Sequence, residues 1–170
     1  MISREELISL YSTHYKEIFN YIYRLTGSRE SAEDILQETF INIIEYSKKT
    51  AINHDTVKSL LYRTAHNLSI NYLKKNEKLD SFNDDVYNMP STNTPDDDLF
   101  FNEIQKEITV ALQQLDAVSR SIFILKRDTH YTNEEIAKIL HISERTVRRK
   151  LQSALSQLLL HLKSKGFYEE

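Results

Sequence analysis

Cysteine is absent from the 170 residues, which excludes disulfide stapling and any thiolate metal site. Glycine and proline occur only twice each, leaving few tight turns and favouring a chain built of helices. No run of about 18 apolar residues exists, so a membrane-spanning helix is not expected. The opening MISREELISLYSTHYK carries acids early and has no apolar stretch, which argues against a signal peptide and for a cytoplasmic location. No His-x-x-x-His pair, phosphate-binding glycine loop or nucleophile motif is found. The scattered His14, His54, His66, His130, His141 and His161 therefore make a poor case for a metal-dependent enzyme. No catalytic residue, metal site or cofactor is expected.

What is present is 40% hydrophobic and 28% charged, the balance of a soluble protein with one or two small domains. Net charge is −3, but the charge is unevenly spread. Residues 57–75 hold Lys58, Arg63, Lys74 and Lys75 with no acid, and residues 119–153 hold eight Lys or Arg against four acids. Between them, residues 76–98 carry seven acids against Lys78. Two basic surfaces thus flank an acidic strap.

The stretch Tyr131 to Leu158 predicts two short helices joined by a corner at His141-Ile142-Ser143. Thr132 with Glu135 is a capping box, followed by the apolar face Ile136, Ala137 and Leu140. Ser143 is a good N-cap for a second helix with Val147, Leu151, Ala154 and Leu158 on one side. Arg145, Arg148, Arg149, Gln152 and Ser156 then fall on the opposite side, flanked by Thr146 and Lys150. This is the helix-turn-helix plan, in which Arg and Gln can reach base edges or phosphates in the major groove. A solvated basic face on an ordinary helical hairpin is the plain alternative. The corner requires a positive φ at His141, where glycine is the easier residue.

Earlier in the chain, Ser3 with Glu6 opens a first helix with Leu7, Leu10 and Tyr11 inward. Tyr15, Ile18, Phe19, Ile22 and Leu25 continue the pattern in a second segment, which Gly27 stops. A further helix starts near Ser28 to Ser31 and buries Ala32, Ile35, Leu36, Phe40 and Ile43. Its outer stripe is Glu33, Asp34, Gln37, Glu38 and Asn42. Residues 47–55 read as a loop. Asp55 or Thr56 can cap the next helix, which packs through Val57, Leu61, Ala65, Leu68 and Tyr72 and turns Ser59, Arg63, His66, Asn67 and Lys74 outward. Tyr62 fits either side. From Asn76 to Asp98 periodicity fails, and both prolines lie there, as in a flexible linker. Helical spacing resumes with Ile104, Ile108, Ala111, Leu112 and Leu115, and a short helix after Ser119 buries Ile122, Phe123 and Leu125. The expected fold is all-α: two small helical domains joined by a flexible acidic linker, the C-terminal one containing the helix-turn-helix. The boundaries are 1–75, 76–100 and 101–170.

Both halves resemble the two domains of the extracytoplasmic-function group of bacterial RNA polymerase sigma factors, within the sigma-70 family. YKEIFNYIYRLTGSRESAEDILQETFINI (Tyr15 to Ile43) is similar to region 2.1 to 2.2, and LLYRTAHNLSINYLKK (Leu60 to Lys75) to region 2.3 to 2.4. LDAVSRSIFILKR and NEEIAKILHISERTVRRKLQSAL resemble region 4. Departures are Leu60, where many members have Trp, Asp116, where Pro is frequent, and His141, where Gly is common. The segment 128–131 also differs.

The resemblance implies binding of core RNA polymerase through Glu33, Asp34, Gln37 and Glu38. It further implies contact with the −10 promoter element through the 47–55 loop and the helix after it, at Asn53, His54, Arg63, Asn67, Lys74 and Lys75. The −35 element falls to Arg145, Thr146, Arg148, Arg149, Lys150 and Gln152. Promoter DNA, core polymerase and a sequestering anti-sigma factor are the implied partners, without catalysis by the chain itself or membrane insertion. A stand-alone helix-turn-helix regulator is the alternative, for which the C-terminal half would suffice.

Overall fold

The computed structural model describes residues 1–76 and 99–169. They form seven helices: α1 Arg4–Thr26, α2 Arg29–Lys49, α3 Val57–Asn76, α4 Leu99–Gln114, α5 Ala117–Asp128, α6 Asn133–Leu140 and α7 Glu144–Ser164. No strand occurs among the described residues. The all-α expectation holds, with a helix-turn-helix in the C-terminal part. The acidic strap of residues 77–98 lies outside the described residues. Two compact units result, the first holding α1 to α3 and the end of α6 and the second holding α4, α5, α7 and the start of α6.

In the first unit each helix packs on the other two. Ser3 and Glu6 form the expected capping box, Ser3 Oγ accepting from Glu6 N at 3.1 Å and Glu6 Oε2 from Ser3 N at 2.7 Å. The two expected N-terminal segments are one 23-residue helix. Within it the Thr13 hydroxyl donates back to Ser9 O, and the helix continues through the polar Ser12-Thr13-His14 run. Gly27 ends the helix at φ 75°, where a side chain would be strained, and its N–H donates to Tyr23 O. Ser28 then caps α2 by accepting from Ser31 N. Helix α2 runs to Lys49, two residues past the expected start of the loop, so the connection to α3 is residues 50–56.

The seam is filled by Ile18, Ile22 and Leu25 of α1, Ala32, Ile35, Phe40 and Ile43 of α2, and Val57, Leu61 and Ala65 of α3, all buried. Each large side chain so buried contributes about 1.5–3 kcal/mol. Four inward or outward assignments change. Tyr11 and Tyr15, expected inward, are 42% and 44% exposed and stack on one another at 5.4 Å between centroids, with Tyr11 resting on Phe40. His66, expected outward, is buried. Its Nδ1 lies 3.0 Å from Tyr21 Oη, and that partner on another helix draws it into the seam. Tyr62 is buried and meets Tyr21 edge to face. Tyr72, expected in the core, is half-buried.

In the second unit α4 and α5 pack on α7. Ala111, Leu112, Leu115, Ala154 and Leu158 form its core cluster, with Ile108 and Phe123 against it. Phe123 is half-buried rather than buried, its ring carrying the Arg127 guanidinium at 5.9 Å. Helix α5 begins earlier than expected, because Asp116 is its N-cap and Ser119 its third residue.

Candidate nucleic-acid and partner surfaces

The corner between α6 and α7 is built by local chemistry. Thr132 N donates to Glu135 Oε2 at 2.6 Å and Glu135 N to Thr132 Oγ1 at 3.2 Å, the reciprocal capping box read from the sequence. His141 takes φ 54°, and Ile142 N reaches back to Ala137 O at 3.1 Å. That six-to-one bond with a left-handed residue before it is a Schellman closure. Ser143 Oγ then accepts from Thr146 N at 3.0 Å and starts α7. Ile136, Ala137, Val147, Ala154 and Leu158 are buried, so the opposite face of α7 must point away from the core.

On that face Arg145, Arg148, Arg149 and Gln152 are exposed. Thr146 and Lys150 flank it and are half-buried. The Thr146 hydroxyl is shared with Ser143 Oγ at 2.8 Å, which commits it to the cap. Lys150 Nζ is 3.3 Å from Asp116 Oδ1, and Arg148 pairs with Glu144 one turn back. The outward cations are therefore not equivalent.

The acidic stripe of α2 is as expected: Glu33, Asp34, Gln37 and Glu38 are all exposed. Glu33 is tied to Arg29 Nε at 3.2 Å, an i to i+4 surface pair of little energetic weight. A row of carboxylates and one amide on a rigid helix can meet a basic partner face.

The sequence-predicted −10 set is divided between a turn and a helix. Asn53 and His54 are exposed in the turn before α3. Asn53 Oδ1 accepts from Asp55 N at 2.8 Å, and its carbonyl accepts from Thr56 N and Val57 N. Thr56 precedes α3 as expected, but its hydroxyl donates to Asn53 O rather than receiving from the helix. Asn53 thus closes the turn. Along α3, Asn67, Lys74 and Lys75 are exposed and Arg63 is half-buried.

Sequence reasoning missed Arg120. Counted there among the surface cations, it is buried, with Nε donating to Leu112 O at 2.9 Å and Nη2 to Leu115 O at 3.0 Å and Gln113 O at 3.3 Å. It ties down the last carbonyls of α4. The spacing Asp116-x-x-Ser119 was a readable cap, but nothing local marks Arg120 as its interior neighbour. Among the described residues no cluster of three His, Asp or Glu side chains is placed to hold a metal ion, and no helix is long and apolar enough to cross a membrane.

A helix-turn-helix with a cationic outer face on α7, and an acidic outer face on α2, characterise this all-α protein. The comparisons place it further. Sigma-70 region 2 matches residues 10–79, and Sigma-70, region 4 matches residues 105–158. RNA polymerase sigma factor YlaC of Bacillus subtilis is 30% identical over 162 residues, spanning 93% of this chain and 92% of that protein. ECF RNA polymerase sigma factor SigM of the same organism is 26% identical over 161 residues, spanning 95% and 97%. In fold, the chain is similar to the sigma factor RpoE solved with the anti-sigma factor NepR from Bartonella quintana, with a TM-score of 0.68, 17% identity and coverage of 91% and 95%. The chain belongs to the sigma-70 family of RNA polymerase sigma factors, in its ECF group.

Proposed function

We propose that the chain directs core RNA polymerase to promoters through three surfaces. The α2 stripe Glu33, Asp34, Gln37 and Glu38 docks on the polymerase. Asn53, His54, Arg63, Asn67, Lys74 and Lys75 engage the −10 element, where phosphates and an unstacked base need cations and hydrogen-bonding edges. Arg145, Thr146, Arg148, Arg149, Lys150 and Gln152 engage the −35 duplex. Residues 1–75 and 101–170 are the two functional domains, with the acidic segment 76–100 between them.

The observation that carries this reading is the exposed row Arg145, Arg148, Arg149 and Gln152 on a helix whose other face is locked into the core. A few such contacts give weak, salt-sensitive duplex binding, so useful affinity comes from being tethered to polymerase. The chain carries no catalytic chemistry and works in the cytoplasm; its partner is the enzyme. A structural relative's capture with an anti-sigma factor supports a sequestering partner for this chain as well.

The test is reconstitution. Purified chain added to core polymerase should yield promoter-specific transcripts, and Asp34→Ala with Gln37→Ala should reduce polymerase capture and those transcripts together. Undiminished capture and transcription by the double variant would remove the α2 assignment. Failure of the wild-type chain to bind polymerase while still binding duplex would favour a stand-alone regulator.

A further inference from the structure

Lys150 lies at the edge of the exposed α7 face, and its partner Asp116 is 34 positions away in the chain. Asp116 is not free to follow the lysine. Its Oδ1 accepts from Ser119 N at 3.0 Å and its Oδ2 from Ser119 Oγ at 2.6 Å, which pins the carboxylate at the start of α5. Burial disfavours its charge, but the Ser119 donors and then Lys150 outweigh burial and keep its pKa below the ordinary carboxylate value. The side chain is still 57% exposed. A fixed, charged, solvent-facing carboxylate thus lies 3.3 Å from the Lys150 ammonium, the same kind of partner that a phosphate oxygen would be. Arg148 is similarly matched by Glu144, whereas no side-chain partner is found for Arg145 or Arg149 among the described residues.

We propose that Asp116 is a built-in competitor for DNA phosphate at Lys150, a positioning residue that holds down the duplex affinity of the chain. The proposal rests on α7 being the duplex-binding face. An exposed pair of this kind is weak, so the effect is graded: removing the carboxylate should tighten duplex binding about 2- to 5-fold at low salt. Freeing one more cation for a phosphate should also steepen the dependence of log affinity on log salt by about 0.9.

Asp116→Asn on the full chain removes the charge and keeps a capping acceptor for Ser119 N. Asp116→Ser, which also caps, is the second variant should Asn perturb folding in a thermal melt. Both are measured by fluorescence anisotropy on a short DNA duplex of mixed sequence across a salt series, alone and in a Lys150→Ala background. The expected result is tighter binding and a steeper slope that both vanish when Lys150 is absent. Unchanged binding by Asp116→Asn and Asp116→Ser overturns the proposal, as does an equal gain in the Lys150→Ala background, which would mean general repulsion. Equal duplex binding by wild type and Arg149→Ala would instead overturn the α7 reading and the proposal with it, a result distinct from a null at Asp116.

Discussion

Tyr21 and His66 meet at 3.0 Å across the seam between α1 and α3, an aromatic hydroxyl against a buried imidazole. Burial pushes the His66 pKa down to about 4, so the ring is neutral at physiological pH and its Nδ1 can accept from Tyr21. The unfolded chain, with a value near 6.5, takes up this proton first. Stability from the site is therefore complete above pH 6.5 and falls as pH drops toward 4, by about 3 kcal/mol over the window. We expect the His66 ring signals in an NMR titration to stay unprotonated to about pH 4. Titration of this ring at the ordinary value would show that it is not sequestered.

Arg120→Ala should be among the most damaging single changes in the second unit. It removes the guanidinium that donates to the carbonyls of Leu112, Gln113 and Leu115 around the corner between α4 and α5. The expected loss is about 2–4 kcal/mol, with Arg120→Lys recovering only part because an ammonium cannot span three acceptors in a plane. Denaturant unfolding resolves this, and a change below about 0.5 kcal/mol would contradict the geometry.

His141→Gly should stabilise the helix-turn-helix by about 0.5–1 kcal/mol, since φ 54° is easy for glycine and strained for an imidazole-bearing residue. His141→Val should do the opposite, because a β-branched side chain tolerates the left-handed region least. Thermal melts of the two variants should move in opposite directions.

Arg149→Ala should weaken duplex binding about tenfold while leaving polymerase capture unchanged, because the side chain is exposed on α7 and takes no part in the core. Duplex anisotropy beside a polymerase pull-down separates the two. Parallel loss of both would point to damage to the fold rather than to the face.

The helix ends that carry a cap read from the sequence were legible because caps are local. Ser3 with Glu6, Gly27, Ser28, Thr132 with Glu135, and Ser143 each act within a few residues of themselves. The two exposed stripes, on α2 and α7, followed from periodicity in the same way. What could not be read were pairings fixed by packing. The outward placing of His66 fails because its partner Tyr21 is 45 residues away, and the pairing of Lys150 is not readable because Asp116 is 34 residues away. Arg120 was misplaced for a related reason, as an interior arginine needs several acceptors and only the fold gathers them. The two expected segments of α1 are one helix, since the apolar positions on either side of Ser12-Thr13-His14 belong to one continuous backbone ladder.

The Arg120 clasp also has a mechanical meaning. With its guanidinium holding carbonyls on the α4 side of the corner and its backbone in the first turn of α5, the joint between the two helices is braced rather than hinged.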